Sequence, residues 1–200
     1  KEYDKPVSML VDAAGDNGLR SLEVMAIETI RAGWQGRSLA HHARAMAMYP
    51  KPYLQKLAAI LKKAQMGIVS DPHTGPLHAR VRELLEEGVL VRLGQDDISD
   101  AYYPYGRNNM LEVAFLNSHL LWFTTREDME TLYTMVTTNP AKAIGLKDFE
   151  IKEGAVANLV VLDQPNVLEA LRYHEKPKYV ISHGKLVDQQ KMDEIIRENS

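Results

Sequence analysis

Four times in the first half of the chain a short apolar run leads into a loop of polar or glycine residues. The runs are residues 7–11, 37–42, 66–70 and 89–93, and each reads as a strand. Between them the apolar positions change period. Leu22, Met25, Ala26 and Ile30 fall at three-four spacing in residues 19–32, as do Leu54, Leu57, Ala58 and Leu61 in 52–64, and a third helix is expected over 77–87. Strands that alternate with helices must lie parallel, because each connection is long enough to cross back over the sheet. The pattern therefore permits an open parallel sheet or half of a (β/α)8 barrel. The first loop holds no G-x-G-x-x-G, so a dinucleotide-binding fold is poorly supported.

The second half has another texture. Residues 108–123 form a long helical pattern, and 125–136 a second one, with Thr125 as N-cap and Asp128 as its partner three residues on. Residues 139–145 make a short helical turn between Pro140 and Gly145. After Ile151 the chain turns β-rich: 158–162 is a strand, and 179–187 a hairpin turning at His183-Gly184. The expected division is an α/β unit, open sheet or half-barrel, over 1–150, part of a small β-subdomain over 151–188, and a polar tail over 189–200.

Composition narrows the partners. A formal net charge of −3 and a pI near 6.2 argue against a dedicated nucleic-acid surface or an anionic-membrane surface. No apolar stretch approaches the ~18 residues of a membrane span, and no signal peptide is visible. The absence of cysteine excludes thiol chemistry and fits a reducing compartment, so a cytoplasmic location is expected. The opening Lys1-Glu-Tyr-Asp-Lys-Pro6 lacks an initiator Met and runs straight into an apolar segment, which suggests a fragment.

Candidate chemistry sits where the strands end. The fourth leaves through Gly94-Gln95-Asp96-Asp97, and an ionised carboxylate there can bind a divalent cation or move a proton. The same two residues equally suit a cap on the following loop or helix. His42 ends the second strand and reads either as a site residue or as a hydrogen-bonded structural histidine, while its neighbour His41 points to the opposite face as a packing residue. Tyr102 and Tyr103 can stack on a planar ring at the site mouth or pack the loop beside Pro104. His73 and His78, in the third strand's exit region, read as site residues or as exposed loop histidines, the commoner case, and Met25, Met46, Met48 and Met110 as core or gap fillers.

Three stretches carry a resemblance. Leu93-Gly-Gln-Asp-Asp-Ile-Ser-Asp-Ala-Tyr-Tyr-Pro-Tyr-Gly106 with Asn109-Met-Leu111, Arg37-Ser-Leu-Ala-His-His-Ala-Arg-Ala-Met46, and Thr138-Asn-Pro-Ala-Lys-Ala-Ile-Gly-Leu146 followed by Ala157-Asn-Leu-Val-Val-Leu-Asp163 resemble the cytosine deaminase-like branch of the metal-dependent amidohydrolase superfamily. The resemblance implies the C-terminal half of a (β/α)8 barrel, strands five to eight, with a small β-subdomain. It implies a divalent metal, zinc or iron, and metal-assisted deamination of a nitrogenous ring such as cytosine. Carried over by position, Asp96 matches the metal-ligand aspartate and proton acceptor, and His42 the catalytic histidine of the sixth strand. Asp97 and Tyr102 fall where substrate would be contacted.

Two positions depart from the family pattern. Where its fifth strand carries a metal-ligand histidine and a catalytic glutamate, this chain has Leu10 and Ala13, neither of which binds a metal or transfers a proton. The family's H-x-H pair lies upstream of Lys1. This chain alone is therefore expected to be inactive and not to hold its metal tightly, and a catalytically disabled binding or structural protein is the alternative function. The apolar edges at 7–11 and 89–93 lead to the expectation of a partner, either the missing N-terminal half or a second copy.

Overall fold

The computed structural model describes residues 3–12, 20–96, 100, 101, 103–191 and 194. Its centre is a four-stranded parallel sheet in the order β1-β2-β3-β4, formed by Val7–Val11, Ser38–His42, Gly67–Ser70 and Val91–Leu93. Helices α1 (Ser21–Arg31), α2 (Lys51–Lys63) and α3 (Val81–Glu86) connect the strands in turn. Consecutive strands lying side by side in one direction, each joined by a helix, are what a barrel half requires and what a dinucleotide-binding sheet, with its reversed strand order, does not show.

Strand alternation separates two faces. The level Met9, Ala40, Ile68 and Val91 faces the helices; its last three members are completely buried, packed with Leu22 of α1, Leu54 and Leu57 of α2 and Leu84 of α3. The next level, Leu10, His41, Val69 and Arg92, lies in register on the other, inner face. There Leu10 is 67% exposed. The two sheet edges also differ. Val7, Met9 and Leu10 of β1 are exposed, as the apolar edge predicts, but β4 is covered. Helices α5 (Arg126–Val136) and α6 (Thr138–Ala143) pack on β4, and Asn139 Nδ2 donates to the Val91 carbonyl at 2.7 Å. The Asn-Pro-Ala stretch of the sequence thus ties the C-terminal region to the last strand.

The capping box at Thr125 and Asp128 is present in full, and Gly88 follows α3 with φ of 75°. A second, three-stranded antiparallel sheet joins β5 (Leu159–Val161), β6 (Tyr179–Ser182) and β7 (Lys185–Leu186). Its hairpin turns at His183 and Gly184, both at positive φ, the geometry that tight two-residue hairpins need. Helix α4 (Met110–Leu120) is capped by the Asn109 side chain, which also donates to the His174 carbonyl at 2.6 Å. His174 ends α7 (Val167–Tyr173), a helix the periodicity reading passed over although Asn166 accepts from Glu169 N as its cap. Other differences are small: α3 and β4 are shorter than expected, and Met48, expected in the core, is 50% exposed.

Candidate active site

All the polar strand exits lie at one end of the sheet, since the strands are parallel. Three of them bend through the left-handed region: Asp12 has φ of 54°, His42 67° and Asp96 63°. Each such non-glycine residue stores roughly 1–2 kcal/mol. The backbone around His42 is held by Ala43 N, which donates to Val11 O at 3.1 Å, and by Ala45 N, which donates to Asp12 O at 3.1 Å. The turn at the end of β2 swings the imidazole out of the strand alternation and across to the end of β3.

There it meets Asp71. His42 Nδ1 lies 2.9 and 3.0 Å from the two carboxylate oxygens of Asp71, both residues being buried. Arg44 Nη2 donates to Asp71 Oδ2 at 2.7 Å and to Thr74 Oγ1 at 2.6 Å, and the Thr74 hydroxyl donates to Asp71 Oδ2 at 2.6 Å. The same Arg44 nitrogen stands 3.5 Å from Asp96 Oδ2. Burial alone would raise the Asp71 pKa. The Thr74 hydrogen bond, the His42 imidazole and the Arg44 guanidinium outweigh it, and the carboxyl is held below its ordinary value. An imidazole that donates Nδ1–H to Asp71 has Nε2 left as its acceptor.

The structure thus brings His42 and Asp96 together and adds three residues that sequence reasoning missed, Asp71, Arg44 and Thr74. The one available signal was position: Asp71 opens the polar exit of the third strand as Asp96 belongs to that of the fourth. Leu10 lies on the inner face of β1 and offers no ligand atom. Ala13, Asp97 and Tyr102 lie outside the described residues. His41, expected as packing, is half-buried and shares a 2.7 Å hydrogen bond with the Ser8 hydroxyl. His73 is not a free loop histidine: its Nε2 donates to the Gln95 carbonyl at 3.0 Å, and its ring stands edge-on to Tyr103 at 5.8 Å.

The amidohydrolase family model, Amidohydro_3, matches residues 1–188. The chain belongs to the amidohydrolase family. Among solved amidohydrolase structures, the 5-methylcytosine deaminase of Klebsiella pneumoniae superposes with a TM-score of 0.86 at 31% identity, over 94% of this chain and 49% of that one. The N-isopropylammelide isopropylaminohydrolase of Burkholderia multivorans gives a TM-score of 0.86 at 25% identity, over 93% and 48%. Among curated amidohydrolase relatives, the N-isopropylammelide isopropyl amidohydrolase of Pseudomonas sp. strain ADP is 29% identical over 94% of this chain and 47% of its own length. The chain spans about half the length of the curated relatives it matches over most of its own length.

Amidohydrolases of this kind imply a divalent metal, and the donor set can be tested against it. One ligand atom each from His42, Asp71 and Asp96 lie within 4.8 Å of one another, a nitrogen and two oxygens suited to zinc or iron. Asp71, however, is engaged by His42, Arg44 and Thr74. Asp96, open to solvent, and His42 Nε2 remain, fewer than the three protein ligands a catalytic zinc uses. The residues fit as part of a coordination sphere.

Proposed function

We propose that this chain forms the C-terminal half of a hydrolase that removes an amine from a nitrogenous ring, with Asp96 and His42 in the site. The observation that carries the reading is the convergence of His42 and Asp96 from separate strand ends, within a fold whose relatives include a 5-methylcytosine deaminase and a pterin deaminase. Asp96 would help hold the metal, which when bound supplies a water acidic enough to ionise near neutral pH. Asp96, exposed at the end of its strand, accepts the proton of the attacking water. Asp71 fixes the imidazole of His42 through Nδ1, which leaves Nε2 to pass a proton at the ring nitrogen or the leaving amine. By the resemblance, Asp97 and Tyr102 would contact the heterocycle. The remaining ligands come from the half that the chain does not match.

Leu10 supports a second reading, a family member that binds without catalysis, because the position offers no ligand atom to the site. One experiment separates the two. Ammonia release from cytosine, 5-methylcytosine and pterin is measured for the chain alone and for the chain joined to the half of the Klebsiella enzyme it leaves unmatched, with metal content determined in both. The chain alone keeps no stoichiometric metal after dialysis against a chelator and releases no ammonia. The joined protein turns over, and Asp96→Asn abolishes it. Turnover that appears only after Leu10→His and Ala13→Glu establishes the disabled reading, and silence in both forms despite bound metal overturns the hydrolase reading.

A further inference from the structure

Arg44 reaches both carboxylates of the site. It opens the short helix Arg44–Met48 directly after His42 and Ala43, which both lie in the left-handed region, at φ of 67° and 50°. Such strain persists only where the surroundings impose it, and here the turn lays the residues on either side of Ala43 onto one carboxylate. Asp71 Oδ2 takes His42 Nδ1 at 2.9 Å, Arg44 Nη2 at 2.7 Å and Thr74 Oγ1 at 2.6 Å. The same Arg44 nitrogen stands 3.5 Å from Asp96 Oδ2. The guanidinium is held in place: its side chain is only 15% exposed and packs against Gly75, where an added Cβ would lie 3.7 Å from Cζ.

His42, Asp71 and Asp96 would otherwise offer a divalent cation one nitrogen and two oxygens, all within 4.8 Å of one another. A guanidinium lodged against both carboxylates changes what each can do. An oxygen already taken by an arginine, a hydroxyl and an imidazole has little left to give a metal, and a fixed positive charge in a covered site repels a second one. Asp96 is contacted at the longer distance and is exposed, so a metal can take it without parting Arg44 from Asp71. We propose that Arg44 is a positioning residue that reserves Asp71 for His42 and keeps it out of the metal's coordination sphere, so that Asp71 and His42 act as a proton-carrying pair and Asp96 as the ligand. This partition of the donors rests on the roles given above to Asp96 and His42. Metal affinity, measured without substrate, tests it apart from the ammonia release that tests those roles.

The probe is Co²⁺, its binding to the chain followed by equilibrium dialysis and by the visible absorption of the bound ion. Arg44→Met is expected to bind Co²⁺ about tenfold or more tightly than wild type, since the repelling charge is gone and Asp71 Oδ2 is released. Arg44→Lys, which keeps a cation, should gain less. Adding Asp71→Asn to Arg44→Met should remove the gain, which closes a double-mutant cycle on the released ligand. Co²⁺ should also raise the melting temperature of Arg44→Met more than that of wild type, because an ion bound only by the folded state stabilises it. If Arg44→Met fails to fold, Arg44→Gln keeps a hydrogen-bond donor without the charge and carries the same expectations. Affinity unchanged in the neutral variant, an equal gain in Arg44→Lys, or a gain that survives Asp71→Asn overturns the proposal.

Discussion

Replacing Asp71 by Asn removes the charge at which His42, Arg44 and Thr74 meet while leaving the shape of the side chain. Asp71 is only 5% exposed, and Arg44 makes its 2.7 Å contact from a side chain itself largely covered. Removing one partner of a buried pair costs about 3–5 kcal/mol, because the other charge stays desolvated. Asn keeps one acceptor oxygen, and Arg44 keeps Asp96 at 3.5 Å, so the loss falls near the lower end, about 3 kcal/mol. For a chain of this length that is roughly 6–12 °C in melting temperature, read by circular dichroism. The pH dependence follows from the direction of the shift. Asp71 is depressed in the folded state, so its stabilisation is fully present above the unfolded carboxylate value of about 3.9 and is lost as pH falls through the lower folded value. The gap between wild type and Asp71→Asn should be full at pH 6 and shrink below pH 4. A variant within about 0.5 kcal/mol of wild type at pH 6, the ordinary range for surface changes, would refute the reasoning, as would a gap that persists unchanged at pH 2.5.

Two further outcomes rest on the scaffold. Thr125→Ala removes the acceptor for Asp128 N at 3.1 Å and should cost about 1 kcal/mol in a urea titration without changing the slope. Gly67→Ala places a Cβ 2.8 Å from the Leu90 carbonyl oxygen and against the Arg92 guanidinium, a crowding expected to cost about 1–3 kcal/mol. Combined with Arg92→Met, the loss should be less than the sum of the two single changes, and strict additivity would mean that the two residues do not share the space.

The sheet was legible because its information is local. A short apolar run needs only its neighbours to read as a strand, and a three-four spacing needs only its own helix; the parallel order then follows from the length of the connections. The capping box at Thr125 and the turn at His183-Gly184 are equally local, and each sits at its expected residues. Helix α7 escaped because it is short and follows a turn-rich stretch, and much of its definition comes from packing against α4 and α5. β4 was expected to be an open apolar edge. Its cover comes from Asn139, 48 residues away in sequence, and no pattern within the strand reveals such a partner.

The site was legible only to the depth of its strand ends. His42 and Asp96 were reachable because residues at the C-terminal ends of parallel strands must share one end of the sheet. Asp71 obeys the same rule, yet an aspartate before proline at a loop start reads first as a turn residue. What distinguishes it is company: Arg44 lies 27 residues away and His42 29 residues away, and only the folded geometry brings a guanidinium, an imidazole and a threonine hydroxyl onto one carboxylate oxygen. Arg92 shows the converse. An arginine inside an apolar strand is visible as a violation of the pattern, but whether it is paired depends on what faces it. Among the described residues nothing acidic does, and the violation becomes informative because local rules broken at a buried position call for compensation elsewhere.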